Sequence, residues 1–268
     1  MDSVLDAIER GLRALGARLS ALPPIRAIGG RYLRLGAAQQ VLAIWAASFL
    51  SIVFAFILSG GPTATAKIVA TVSFLYLPLL DLRRRDEDYP DYGITLRAWR
   101  TDLKLFLILF GIVGPLYVLG FWAFAQILPE LPVSLSRLIS PYTGERPHFA
   151  FRLPNQFPER VIDNLLVVAL PEEFFYRGFV QTRLRDAWPE GRVFFGARLG
   201  RAFWVTAVLF AIGHLAIFQA WRLAVVFPAL LFGWMRERTG TVIGSSLFHA
   251  AANILSVVLE ACFFGRQA

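Results

Sequence analysis

Seven apolar stretches divide this chain, and they constrain its fold more than any other feature of the sequence. They cover roughly residues 40–60, 63–82, 104–128, 161–182, 202–219, 222–236 and 241–263. A helix needs about 20 predominantly apolar residues to cross the hydrocarbon core of a bilayer. With 56% hydrophobic and 17% charged residues, the chain is too apolar for an ordinary soluble domain. The pattern predicts an all-α fold, a polytopic transmembrane helix bundle of about seven spans in a lipid bilayer.

The N-terminal arm, residues 1–39, contains no apolar core followed by a small-residue cleavage site, so we do not expect a removable signal peptide. Its apolar residues recur at helical spacing and its arginines fall between them. This pattern favours a cytoplasmic amphipathic helix on an anionic bilayer surface. A soluble helical tail is the open alternative.

The basic residues are distributed unevenly between the two sides that this topology creates. With the N-terminus in the cytoplasm, the inner segments hold 19 of the 27 basic residues and the outer segments hold six, Arg222 among them. The positive-inside rule then predicts a cytoplasmic N-terminus and, for seven spans, an external C-terminus. Because loop arginines account for the net charge of +8, we expect no nucleic-acid binding. Cys262 is the only cysteine, which excludes an internal disulfide and a Cys-rich zinc cluster.

A proline-rich segment separates the chain into two parts. It covers residues 129–160, is predicted to be extracytoplasmic, and should contain no helix because its prolines interrupt helical hydrogen bonding. Residues 40–128 before it form the first three predicted spans, which we interpret as scaffold. Residues 161–268 after it contain all the acids and histidines that lie within apolar stretches, so they are the predicted catalytic core.

The first polar motif lies within the apolar stretch at 161–182. In a helix, Glu173 and Arg177 share a face and can pair, whereas Glu172 points about 100° away. A carboxylate in such an apolar setting is suited to accept a proton from water. If the apolar stretch ended at Leu170, both acids would be merely interfacial.

The second and third motifs each contain a histidine. His214 follows Phe210 by one helical turn, and His249 precedes Asn253 by one turn. The imidazole and amide of the latter pair can both donate hydrogen bonds, which suits stabilisation of a developing oxyanion. Each histidine could instead be a core residue or a polar contact between helices.

These residues agree in depth, although nothing in the apolar pattern requires it. Measured from the cytoplasmic ends of their spans, Glu172, His214, His249 and Asn253 all lie roughly 12–18 Å into the membrane. An ionisable group in hydrocarbon is costly and usually faces a polar interior. We therefore predict one shared polar site.

In this order, the motifs Glu-Glu-x-x-x-Arg, Phe-x-x-x-His and His-x-x-x-Asn resemble the family of CAAX prenyl endopeptidases and bacteriocin-processing intramembrane proteases. The resemblance covers roughly residues 161–257. It implies an all-helical fold of about eight spans and a glutamate-dependent peptidase acting on a membrane-anchored protein or peptide near its C-terminal anchor or lipidated tail.

The resemblance also implies roles for individual residues. Glu172 would be the general base, with His214 as its partner in holding the attacking water, and His249 and Asn253 would form the oxyanion hole. The supporting residues implied or suggested by these motifs are Glu173, Arg177 and Phe210.

Several alternatives stay open at this point. We predict a metal-free mechanism, but zinc bound by Glu172, His214 and His249 is the alternative, although no His-Glu-x-x-His pair is present. A proton-coupled transporter and a non-catalytic scaffold or immunity factor are the competing functions. The ratio of 25 Arg to two Lys suggests a GC-rich bacterial genome and hence a bacterial inner membrane.

Overall fold

The computed structural model describes residues 30–142 and 144–265, so the predicted arm lies outside the described residues except for 30–39. The described chain is almost entirely helical, which confirms the predicted all-α class. The main helices in chain order are α1 (Ala37–Leu58), α2 (Ala64–Arg84), α3 (Trp99–Ile127), α4 (Val133–Ile139), α5 (157–187), α6 (Arg201–Gly213), α7 (Val226–Thr239) and α8 (Ile243–Phe264). Short 3₁₀ turns lie at Tyr89–Tyr92, Leu128–Glu130, His214–Ile217 and Ala220–Val225.

Helix α5 is continuous but not uniform. It consists of α-helical Phe157–Asp163, π-helical Asn164–Ala169, α-helical Leu170–Glu173, π-helical Phe174–Val180 and α-helical Gln181–Ala187. A π turn bonds each N–H to the carbonyl five residues earlier, and such turns are frequent at functional sites.

Of the described helices, four are long and apolar enough to cross a membrane by length and composition, namely α1, α2, α3 with its 3₁₀ extension to Glu130, and α8. The predicted total of seven or eight spans is therefore not confirmed. The stretch predicted at 202–219 forms an apolar helical segment of 17 residues, Arg201–Ile217. The one predicted at 222–236 contains a 14-residue helix, α7, because a 3₁₀ turn occupies Ala220–Val225.

Helix α3 packs on α8 and presents most of its surface outward. Leu107, Ile112 and Leu116 are among its many exposed apolar side chains. A continuous apolar surface of this size is unfavourable in water and typical of contact with lipid. The chain is an integral membrane protein on this composition and arrangement.

Helix α5 lies at the centre of the bundle, although its acids made it one of the weakest spans in the apolar pattern. Every residue of Phe174–Val180 is buried. The Phe175 ring packs 4.8 Å from Phe74 of α2, measured between ring centroids, and Tyr176 packs 4.9 Å from Phe210 of α6. The functional motif is thus surrounded by other helices rather than by lipid.

Two features of the connecting segments differ from the predictions. Strands β1 (Gly191–Phe194) and β2 (Ala197–Gly200) form an antiparallel ribbon between α5 and α6, in a chain predicted to be all-α. The proline-rich segment contains helix α4, and α5 already begins at Phe157. Proline is tolerated at the beginning of a helix, where its missing N–H has no intrahelical partner.

The same proline-rich segment is fixed to the end of α8. The backbone N–H groups of His148 and Ala150 donate to the carbonyls of Phe263 and Cys262 at 2.8 and 2.9 Å. These carbonyls belong to the last turn of α8, where the helix itself supplies no partner.

Candidate active site

The adjacent acids occupy the short α-helical segment between the two π-helical segments of α5. The N–H of Leu170 donates to the carbonyl of Leu165, five residues earlier, as π geometry requires. Because each π turn inserts extra residues into the helical repeat, it rotates the following side chains relative to an uninterrupted α-helix. The orientation of Glu172 and Glu173 is therefore set on both sides by non-standard turns.

Glu173 forms a buried ion pair with Arg177, as predicted. The Arg177 Nη1 atom donates to Glu173 Oε1 at 3.0 Å, and neither side chain is exposed to solvent. Arg177 Nη2 also donates to the carbonyl of Ala229 in α7 at 3.2 Å. Buried charges are tolerated only when they are paired and hydrogen-bonded, so this arrangement joins α5 to α7.

His249 of α8 lies between the two acids. Its Nδ1 atom is 3.0 Å from Glu173 Oε1, and its Nε2 atom is 3.9 Å from Glu172 Oε2. A carboxylate is an acceptor, so Nδ1 is assigned as the protonated nitrogen that donates to Glu173. This hydrogen bond orients the ring and directs Nε2 towards Glu172.

Two phenylalanines enclose the Arg177 guanidinium and the histidines. The Phe210 ring centroid lies 4.1 Å from the guanidinium carbon and 4.6 Å from the His214 ring centroid. The Phe232 ring is stacked on His249 at 5.1 Å and lies 5.2 Å from the same guanidinium carbon. These rings exclude water and stabilise the cation through their faces.

Glu172 differs from Glu173 in its surroundings. Its side chain is 20% exposed, whereas that of Glu173 is 0% exposed. Glu172 Oε2 is itself buried and accepts no hydrogen bond from the residues that the structure describes. An unpaired buried acceptor is costly, so this oxygen is suited to bind a water or a substrate group.

His214 is placed by the end of α6, where the helix passes into the 3₁₀ turn His214–Ile217. Its Nδ1 atom lies 2.9 Å from the carbonyl oxygen of Phe210 and donates to it in the neutral ring. Nε2 is then left as an acceptor. The preceding residue must be small, because a Cβ atom at Gly213 would overlap the Tyr176 hydroxyl.

Asn253 completes the set of predicted residues. It lies one turn after His249 on α8, and within the described part of the chain its side chain forms no hydrogen bond. Glu172, His214, His249 and Asn253 all line one cavity of about 790 Å³, between α3, α5, α7 and α8. The structure therefore brings the four predicted residues together, as their common depth implied.

A second cavity of about 230 Å³ lies on the other side of Glu172, against α1 and α2. Four residues line both cavities, and three of them are ionisable: Glu172, His214 and Arg222, with Val168 as the fourth. The acid and the histidine thus lie on a wall that the two cavities share.

The alternative zinc site does not fit this arrangement. Within residues 30–142 and 144–265, no three His, Cys, Asp or Glu side chains are grouped so that they could hold a metal ion. Glu172, His214 and His249 do not form such a group. The metal-free mechanism stays a prediction.

Sequence reasoning did not identify two residues of the site. Phe232 contacts His249 from another helix, α7. Its separation from the histidines along the sequence therefore gave no signal, and only the structure places it. Arg222 was counted as a loop charge, yet its side chain lines both cavities. The 3₁₀ turn at Ala220–Val225 holds it there, and a polar residue between two short apolar stretches was the available signal.

The helices and the site define a polytopic membrane protein with a largely buried cluster of acids, histidines and an amide. Residues 155–255 match the family model described as Type II CAAX prenyl endopeptidase Rce1-like. This match confirms the resemblance inferred from the motifs and supports a protease role. Comparison with curated proteins and with solved structures gives no match.

Proposed function

We propose that the protein is an intramembrane endopeptidase that uses Glu172 to activate water. Its substrate is a membrane-anchored protein or peptide, cut near its C-terminal anchor or lipidated tail. One observation carries the proposal: Glu172, His214, His249 and Asn253, from three separate helical segments, line one cavity in which Glu172 Oε2 accepts no hydrogen bond from the described residues.

The proposed reaction begins with a water held between Glu172 and the Nε2 atom of His214. Glu172 takes one proton while the water oxygen bonds to the scissile carbonyl carbon. The carbonyl oxygen becomes negative and accepts hydrogen bonds from Asn253 Nδ2 and from His249 Nε2, which is a donor when the ring carries both protons. Glu172 then returns the proton to the leaving nitrogen as the C–N bond breaks.

Glu173 and Arg177 take no direct part in this scheme. Glu173 orients the His249 ring through the 3.0 Å contact, and Arg177 prevents that acid from being an isolated buried charge. The two adjacent acids therefore have different tasks: one is directed into the cavity and the other supports the oxyanion hole.

The membrane orientation of the protein and its bacterial source are part of the same proposal. The excess of basic residues on one set of loops favours a cytoplasmic N-terminus, and the dominance of arginine over lysine favours a bacterial inner membrane. The substrate would then be cut on the cytoplasmic side of the bilayer.

The test uses purified protein in liposomes and a fluorogenic peptide with a farnesylated Cys-aliphatic-aliphatic-X tail, together with co-expressed C-terminally anchored proteins. We expect cleavage by the wild type and its loss in Glu172→Gln, by at least about 10²-fold if general-base catalysis is removed. Glu159→Gln is the matched control, because it changes an exposed acid on the same helix.

Three results would contradict the proposal. Cleavage that survives in Glu172→Gln at the wild-type rate would remove this residue from the chemistry. A wild type that cleaves no tested substrate but retains a binding partner would favour a scaffold. Loss of activity in a chelator and its recovery with zinc would instead reinstate the metal-dependent mechanism.

A further inference from the structure

We infer that Arg222 binds the free α-carboxylate at the C-terminus of the substrate and so fixes how far from that end the chain is cut. The inference rests on the proposed peptidase function and adds a specificity-determining residue to it.

The first observation is the position of Arg222. It lies in the 3₁₀ turn between α6 and α7, and its side chain lines the 790 Å³ cavity together with Glu172, His249 and Asn253. It also lines the smaller cavity together with Glu172 and His214. A peptide held at Glu172 in either cavity is therefore within the compartment that Arg222 faces.

The second observation is that the Arg222 guanidinium uses only one of its three nitrogens in hydrogen bonds to described residues. Its Nε atom donates to Gln219 Oε1 at 2.7 Å, and its central carbon lies 4.8 Å from the Trp221 ring centroid. No described residue forms an ion pair with it or accepts a hydrogen bond from its two terminal nitrogens. These two nitrogens are the pair that binds a carboxylate in a bidentate manner.

The walls of the cavity favour binding of an anionic group beside Arg222 over binding elsewhere in the cavity. They are largely apolar, with rings from Phe110, Phe227 and Phe248 among them. A carboxylate moved into such surroundings is stable only beside a positive charge. Arginine is better suited to this task than lysine, because it remains charged and its planar fork matches the two oxygens.

The charges that face Arg222 are two carboxylates. Glu172 and Glu260 act electrostatically on the guanidinium, and Glu260 accepts a hydrogen bond from the Tyr142 hydroxyl at 2.5 Å. Glu260 lies seven residues, about two turns, beyond Asn253 on α8 and lines the same cavity. It competes with an incoming carboxylate, so its removal should strengthen carboxylate binding.

The geometry gives Arg222 the function of a length gauge. The oxyanion donors fix the scissile carbonyl, and Arg222 fixes the end of the chain, so the number of residues between them is limited. Each extended residue spans at most about 3.6 Å, so the separation of the two anchors sets the number of residues between them. An endopeptidase with this device acts at a set distance from a free C-terminus.

The experiment compares farnesylated Cys-aliphatic-aliphatic-X peptides that differ only in a C-terminal acid or amide. We expect the wild type to prefer the acid in kcat/KM by about 10-fold to 100-fold, the range for a charged hydrogen-bonded pair. Arg222→Gln should cleave the acid peptide more slowly and the amide peptide at the wild-type rate, so that the preference disappears. Arg222→Lys should keep part of it, and Glu260→Gln should increase it.

Arg137→Gln is the matched control, because it removes an exposed arginine from α4 outside the cavity. Thermal unfolding of each variant shows whether it is folded. Affinity of the acid and amide peptides for Glu172→Gln gives a second measurement that needs no turnover, and it should show the same preference.

Several outcomes overturn the inference and leave the peptidase intact. The wild type could cleave both peptides equally and Glu172→Gln could bind both equally. Arg222→Gln could impair both peptides alike, which would assign the residue to Glu172 or His214 instead. An effect of Arg222→Gln that appears only in phosphatidylglycerol vesicles and not in phosphatidylcholine would identify a lipid phosphate as the ligand. If the wild type cleaves neither peptide and no anchored protein, the result contradicts the proposed peptidase function and not only the role of Arg222.

Discussion

Glu173 Oε1 and His249 Nδ1, in residues 76 positions apart, are joined by a 3.0 Å hydrogen bond in the interior of the bundle. The same oxygen accepts from Arg177. One oxygen of Glu173 therefore holds both a histidine and an arginine, whereas Glu172 Oε2 accepts no hydrogen bond from the described residues.

Glu173→Gln should separate a positioning role from a catalytic one. The amide oxygen can still accept from His249, but the charge that pairs with Arg177 is lost. We expect a smaller fall in kcat than in Glu172→Gln with KM unchanged, because the imidazole loses only part of what orients it. A fall in kcat equal to that of Glu172→Gln would assign Glu173 to the chemistry, and an unchanged kcat would mean that it is only structural.

Arg177→Met should destabilise the protein strongly. It leaves the Glu173 carboxylate buried without its cation, a change that costs about 3–5 kcal/mol in comparable cases. Equilibrium unfolding in detergent measures the loss, and Arg137→Met at an exposed position is the control. The double variant Arg177→Met with Glu173→Gln should cost less than the sum of the single changes, because it removes both charges. Additivity of the two would argue against the pair.

Asn253→Ala should affect rate and not stability. Its side chain forms no hydrogen bond with the described residues, so its removal leaves no buried partner unsatisfied. Loss of one oxyanion donor lowers kcat by about 10²–10³ in measured cases. Ser256→Ala, in the same cavity but bonded to the carbonyl of Ala252, is the matched control and should retain activity. Equal effects of the two changes would exclude a specific role for the amide.

Gly178→Ala should loosen the contact between α5 and the loop before α3. A Cβ atom at this position would lie 2.7 Å from the backbone oxygen of Tyr92, which cannot move as a side chain can. We expect a loss of about 1–3 kcal/mol, typical of overpacking. Gly111→Ala in α3 is the control, since no atom lies within 4 Å of its added Cβ. Thermal unfolding of both variants tests the difference.

Tyr92→Phe should alter the alkaline limb of the stability profile. Burial, and then the hydrogen bond to Glu87, raise the pKa of Tyr92 above its ordinary value of 10.0. The folded protein therefore keeps this proton when the unfolded chain loses it. The stabilisation is complete below pH 10.0 and falls as the pH rises above it. The variant should be less sensitive above that pH, and Tyr76→Phe, at an exposed position, should behave as the wild type. Parallel profiles for Tyr92→Phe and wild type would contradict this.

Apolar periodicity predicted the fold class and the four long helices, because long hydrophobic stretches have few other stable structures. It did not predict the ribbon β1–β2 or the short helix α4, which depend on local turns. Nor could it show that α5 is central. Acids lower the hydropathy of a stretch whether it is buried among helices or lies at an interface. For this reason α5, which the other helices surround, had the hydropathy of a weak span.

The site was predictable to the extent that helical spacing determines direction. The four-residue separation of Glu173 and Arg177 correctly indicated their pair, and the common depth of the four polar residues indicated one cavity. Their catalytic roles stay predictions. Spacing could not reveal that His249 would bond to Glu173 rather than to its neighbour, because that contact depends on how α8 packs against α5.

Glu172 lines both cavities, so in the proposed reaction the two fragments would form where the cavities meet. Release of the fragments then need not follow one path, and slow dissociation of an anchored product would not by itself hold back the other fragment.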